Sequence, residues 1–195
     1  QTSFTKLMGI DYPVIMAPMF LVSNPKMIIE ALNNGITAAI PALNFRTDED
    51  LRRAITEIKE ASNKPFGINL IVNKSNIKYK KQLSTCVELK VDFIITSLGS
   101  PKEVIDKCKP ADIKVFCDVV DLKFALKVAE LGADAVIAVN SSAGGHAGNM
   151  TAEELVPLLK RKLDIPIISA GGIATNDQLK KALDIGADAA SIGTL

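Results

Sequence analysis

Eight short apolar or β-branched runs, each separated from the next by a stretch of helical period, constrain this chain more than any other feature. They lie at residues 14–17, 36–40, 66–70, 93–96, 113–117, 135–139, 166–170 and 189–192. Runs apolar on both faces suit a parallel sheet covered by helices, since each strand is then buried above and below. Between the runs, the period predicts helices at about residues 25–33, 49–62, 76–89, 101–108, 122–131, 152–163 and 176–185. Their start signals are Asn24 before Pro25, Thr47-Asp48, Ser100 before Pro101, Asp121, and Thr151 with Glu154 three residues on as a capping box.

An internal repeat supports the count. Leu131-Gly132-Ala133-Asp134-Ala135 and Ile185-Gly186-Ala187-Asp188-Ala189 each end a helix on glycine and open a strand, and Asn34-Gly35-Ile36 does so earlier. No linker or low-complexity stretch divides the chain, so residues 1–195 read as one domain. Eight βα units predict an α/β fold of the (β/α)₈ TIM-barrel type, with a doubly wound open sheet as the alternative. The chain ends at Leu195, directly after the eighth run, so the last helix and a C-terminal segment are expected to be absent from it.

Composition narrows the partners. Lys and Arg number 23 against 22 Asp and Glu, interspersed, which argues against a nucleic-acid track or a membrane-surface patch and for small-molecule work. Cys86, Cys108 and Cys117 show no C-x-x-C spacing and read as packing residues in a reducing compartment. No apolar run reaches the ~20 residues of a membrane span, and a cytoplasmic protein is expected. A homodimer is the assembly considered.

In a barrel, function collects at the C-terminal strand ends. The seventh run, PIISAGGIAT, stops at Gly171-Gly172 and hands over to a helix start, where unpaired N–H groups would suit a phosphate. The alternative is a plain tight turn, but the exits of strands seven and eight are where barrels of this class hold a phosphate. The sixth exit, 140–149, carries three glycines and the chain's single histidine, His146, a candidate base, acid or donor near neutral pH. A surface loop that happens to contain histidine is the bland reading. Asn69 at the third exit is equally a strand-end cap or a ligand donor. Met19 and Phe20 could plug the mouth, Lys160-Arg161-Lys162 reads as a solvated helix end, and Asp118 needs solvent or a partner. One histidine with scattered carboxylates gives no metal-ligand spacing and no evident triad.

APM at the first strand, FGINL at the third, SSAGGHAG after the sixth, AGGIAT at the seventh and SIGT at the eighth resemble the nitronate monooxygenase (2-nitropropane dioxygenase) family over the whole chain. The resemblance implies an FMN-dependent oxidoreductase acting on nitronates or nitroalkanes with O₂. By position, Ala17, Pro18 and Met19 would line the isoalloxazine, Asn69 would bond its polar edge, and Ala143 and Gly144 would pass close to it. Gly171, Gly172 and Ile173, with Ser191, Ile192, Gly193 and Thr194, would cradle the phosphate, and His146 would meet the substrate. Asp118 is a departure, standing where relatives often carry a basic or apolar residue. The related FMN-dependent enoyl-ACP reductases, which reduce an enoyl thioester with NAD(P)H, share two of these motifs and form the second reading. A barrel that holds a phosphate ligand without redox chemistry, or binds nothing, is the third.

Overall fold

Strand β1 (Val14–Met16) closes the sheet, pairing with β2 (Thr37–Pro41) on one side and β8 (Ala189–Ile192) on the other, with Val14 opposite Ala190 and Met16 opposite Ile192. The computed structural model describes residues 1–145 and 147–193. Between β2 and β8 come β3 (Gly67–Ile71), β4 (Phe93–Ser97), β5 (Lys114–Val119), β6 (Ala135–Val139) and β7 (Ile167–Ala170), each parallel to the one before. The result is the predicted closed (β/α)₈ barrel. Helices α2 (Pro25–Asn33), α3 (Asp48–Ala61), α4 (Tyr79–Glu88), α5 (Lys102–Cys108), α6 (Leu122–Leu131), α7 (Ala152–Lys162) and α8 (Asn176–Asp184) follow β1 to β7 in turn.

The strand period of two sorts the core into two layers. Ile40, Ile68, Leu70, Ile94, Val115, Cys117, Val136 and Ile167 face outward to the helices, all buried. Ile15, Ala39, Phe93, Ile95, Phe116, Ala135, Ile137, Ile168 and Ala189 fill the interior. Phe93 and Phe116 stack there with ring centroids 4.7 Å apart, and Phe116 meets Phe4 edge-on at 5.6 Å.

Phe4 belongs to an element that the periodicity does not predict, the six-residue helix α1 (Ser3–Met8). It is too short for a helical period, but Thr2 caps it by accepting from Thr5 N, and the Thr2 hydroxyl donates to Asp188 O at 2.6 Å. Its apolar side, Phe4 and Met8, joins Ile10 in closing the N-terminal end of the barrel.

The repeated Gly-Ala-Asp has a physical role. Asp134 Oδ2 accepts from Val115 N at 2.8 Å and Asp188 Oδ2 from Ile167 N at 2.9 Å, while the amide of each aspartate donates back to the carbonyl of the same residue. Asp92, preceding β4, does the same to Phe66 at the entrance to β3. Each even strand from β4 onward is thus clipped to the strand before it by a carboxylate.

Most expected caps form, at Asn24, Thr47, Asp121 and Thr151. The box at Thr151 is half made: its hydroxyl accepts from Glu154 N, and no return bond from the Glu154 side chain is present. Helix α4 begins at Tyr79, three residues after the expected start, because Asn76 spends its side chain on Ile71 O and on Lys78 N in a turn. Helix α5 begins at Lys102 with no side-chain cap on Pro101, and Ser100 Oγ lies a long 3.4 Å from Lys102 N. Lys160 is more than a solvated helix end, since its ammonium sits 2.8 Å from Asp188. The cysteines are free and buried, as expected.

Candidate functional site

At the C-terminal mouth, strand parity turns Asn69, Ser97, Asp118, Val139, Ala170 and Ser191 toward the axis above the apolar interior layer. Three of these are hydrogen-bonded in line. Asn69 Nδ2 donates to Ile95 O at 3.1 Å and to Ser97 Oγ at 2.9 Å, and Ser97 Oγ donates to Asp118 Oδ2 at 2.6 Å. Asp118 lies within β5, which runs to Val119, so its carboxylate is held at the inner wall. Ser97 escapes the sequence pattern, because the apolar run suggests a strand ending one residue earlier. The parity Phe93, Ile95, Ser97 is the available signal.

The loop after β6 is fastened at both ends. Ser141 N donates to Met150 O at 2.8 Å, and buried Asn140 donates from Nδ2 to Gly171 O while its Oδ1 accepts from Ser142 N. Asn140 therefore ties this loop to the turn after β7, a role that its place in a polar run does not reveal. Gly171 and Gly172 sit at φ 116° and 73°. A Cβ on Gly171 would overlap Asn140 Oδ1 and lie 2.6 Å from Ala143 N, so the glycine is required by close approach as well as by its backbone angle. The Ala143 amide is itself used, donating to Asn140 O at 3.1 Å. Around Gly144 a Cβ would meet no atom of the described residues within 4 Å.

The helix start beyond this turn differs from expectation. Ala174 N and Thr175 N donate to Gln178 Oε1, Gln178 N donates to Thr175 Oγ1, and Asp177 adds a carboxylate to the first turn. The N-terminus of α8 is occupied by its own chain, so an anion at this exit would rely on the Gly171–Gly172 turn. The Ile173 side chain is buried in the outer core. Ser191 is buried and faces inward, the Ile192 side chain packs outward, and the Ile192 carbonyl accepts from Ala17 N at 2.9 Å.

A Cβ on Gly193 would lie 3.5 Å from Ala17 Cβ and 3.8 Å from Met19 Cγ, so the exits of β8 and β1 adjoin. Ala17, Pro18 and Met19 are half-buried at this edge. Phe20 is 63% exposed and does not plug the mouth. His146 and Thr194, the expected catalytic residue and the end of the expected cradle, lie outside the described residues.

Burial pushes the Cys117 thiol up to about 12, with Thr96 lowering it and Asp118 raising it, and burial and Asp134 hold Cys108 at about 12. Neither supplies a thiolate nucleophile near neutral pH. Among the described residues no group of His, Cys, Asp and Glu is placed to hold a metal ion, and no helix is long and apolar enough to cross a membrane.

A model of the nitronate monooxygenase family matches residues 74–195. The chain is 32% identical, along its full length, to 54% of an indene-carboxyl-CoA dehydrogenase, (3aS,4S,5R,7aS)-5-hydroxy-7a-methyl-1-oxo-octahydro-1H-indene-4-carboxyl-CoA dehydrogenase, of Rhodococcus jostii. It is 26% identical to a probable nitronate monooxygenase of Staphylococcus saprophyticus, again over its full length and covering 67% of that protein. FabK of Thermotoga maritima superimposes with a TM-score of 0.93 at 33% identity, over 99% of this chain and 61% of that one. The chain thus spans about half the length of the dehydrogenases it matches.

Proposed function

The chain belongs to the nitronate monooxygenase family, and from that premise we propose that it forms the FMN-binding barrel of a flavin-dependent oxidoreductase that oxidises alkyl nitronates or nitroalkanes with O₂. The observation that carries the reading is the pair of glycine exits on adjacent strands. Gly171–Gly172 is held open in the left-handed region by Asn140 and the 140–143 loop, and Gly193 lies against Ala17 and Met19 on the next exits round. A phosphate between the two turns, with a ring system over Ala17, Pro18 and Met19, fits the small side chains and the clearance among the described residues at Gly144. Ala143, Ile173, Ser191, Ile192 and Thr194 would complete the surround.

When bound, FMN would supply the redox chemistry. The chain's own residues would position the reactants and handle protons. Asn69 offers a carbonyl oxygen at the inner wall to a polar ring edge, the apolar β1 exit keeps water from one face, and His146 would take a proton from a nitroalkane or donate to a nitronate oxygen. The balanced charge supports small-molecule chemistry, and a cytoplasmic homodimer is the assembly proposed.

A second reading is redox chemistry on an acyl thioester with NAD(P)H. It is supported by the 32% identity to the Rhodococcus CoA-thioester dehydrogenase and the 33% identity to FabK, an FMN enoyl-ACP reductase, both above the identity to the probable monooxygenase. The intact protein should purify with a flavin absorbance spectrum. Oxygen uptake with an alkyl nitronate in the absence of NADH supports the first reading, and NAD(P)H oxidation dependent on an enoyl thioester supports the second. A colourless protein that cannot be reconstituted with FMN overturns both and leaves the phosphate-binding barrel.

A further inference from the structure

The hydrogen-bonded line Asn69–Ser97–Asp118 has one possible direction. Ile95 O can only accept, so the atom of Asn69 that faces it is Nδ2. The same Nδ2 is 2.9 Å from Ser97 Oγ, which must accept there and send its own proton elsewhere. That proton goes to Asp118 Oδ2 at 2.6 Å, an acceptor when ionised. Three strands, β3, β4 and β5, thereby agree on one orientation of one amide. Both donor positions of Asn69 face internal acceptors, while Asn69 Oδ1 accepts from no described residue.

We infer that Ser97 and Asp118 are positioning residues that, together with the Ile95 carbonyl, hold Asn69 as a hydrogen-bond acceptor at the barrel mouth, selecting a ligand edge that presents an N–H donor, of the cyclic imide class. A ring edge offering only acceptors would face the Asn69 oxygen unpaired. This rests on the flavin reading above, in which the imide belongs to the pyrimidine ring of FMN. Asp118 then has a defined role, which is to hold the proton of Ser97 away from Asn69. An amide at position 118 can accept from Ser97 or donate to it, so Ser97 could turn its proton toward Asn69 and withdraw as the second acceptor of Asn69 Nδ2, leaving the Ile95 carbonyl alone to hold the amide.

The test uses the intact protein with ¹⁵N-labelled FMN, reading Kd by fluorescence quenching and the imide N–H by its proton resonance. Asp118→Asn and Ser97→Ala are close in size to the residues they replace. Each should weaken FMN about five- to tenfold, the scale of one hydrogen bond, and move the imide proton upfield. Ser97→Thr, which restores the hydroxyl, should return both readouts toward wild type. Wild-type Kd and an unmoved imide proton in both Asp118→Asn and Ser97→Ala overturn the assignment. If the wild-type protein takes up no FMN, the flavin reading itself fails, and the orientation is judged in the ligand-free protein. There the Asn69 Nδ2 protons should exchange slowly in wild type and faster in Ser97→Ala, and equal exchange overturns the positioning role.

Discussion

The ring of Phe93 occupies the space that a side chain on Gly67 would fill, one strand away inside the barrel. Gly67 is directly opposite Phe93 in the β3–β4 register, and the ring it admits stacks on Phe116, which in turn meets Phe4. The missing side chain on β3 is therefore a packing requirement of an aromatic column that reaches from β3 to the N-terminal helix.

Gly67→Ala should accordingly overpack the interior. The expected cost is about 1–3 kcal/mol, or a fall in Tm of about 3–10 °C for a chain of this size. Phe93→Leu in the same background should recover part of the loss by freeing the space. A melting curve for Gly67→Ala that matches wild type would show that the ring moves aside without penalty.

The barrel is legible in the sequence because both of its periods are written there. Strands such as Ala135–Val139 are apolar on both faces, and turn glycines punctuate them. Helix α1 is illegible for a physical reason: six residues carry less than two turns of pattern, and its stability comes from Phe4 in the barrel and Thr2 on Asp188. At the mouth, residues in glycine-rich exits stand out, whereas Ser97 and Asn140 do not. Their importance lies in hydrogen bonds to residues 28 and 31 positions away, which local spacing does not encode.

Asp188 should be the most sensitive of the strand-entrance carboxylates. It is 7% exposed and serves Ile167 N and Lys160 Nζ at once. Asp188→Ala strands a buried amide, and a loss of about 2–4 kcal/mol is expected by chemical denaturation. Lys160→Met should cost less, because the Lys160 side chain is 45% exposed and its removal leaves the Asp188–Ile167 bond intact. Equal costs for the two variants would place the stability in the ion pair instead.

Two carboxylates should give opposite pH signatures. Burial raises the Asp48 pKa, but the Thr85 hydroxyl and the Arg52 guanidinium outweigh it, and the net value is lowered from 3.8. Its stabilisation is present above that value and is lost as pH falls through the folded-state pKa. For Asp92, burial outweighs the Phe66 amide and the charge of Lys59, raising its pKa above 3.8. Its favourable contribution is complete below 3.8 and is lost as pH rises through the folded-state value. The gap between wild type and Asp48→Asn should thus shrink from pH 6 to pH 3, staying within about 1 kcal/mol for a surface network, while Asp92→Asn gains on wild type as pH rises from 4 to 7. Parallel stability curves for either pair would contradict the assignment.

Gly144 and Gly171 separate what the fold requires from what a ligand requires. Alanine at Gly171 must adopt φ near 116° and collide with Asn140 and Ala143, so Gly171→Ala should lower both Tm and FMN affinity, the affinity by tenfold or more on the scale of a strained, displaced turn. Alanine at Gly144 meets no atom of the described residues within 4 Å, so the melting temperature should stay at the wild-type value. Any loss of FMN affinity in Gly144→Ala must then come from the added methyl meeting the ligand itself. Calorimetry and flavin titration on the two variants read the contrast directly: a Gly144→Ala protein with unchanged melting and unchanged FMN affinity would remove residue 144 from the proposed cofactor surround.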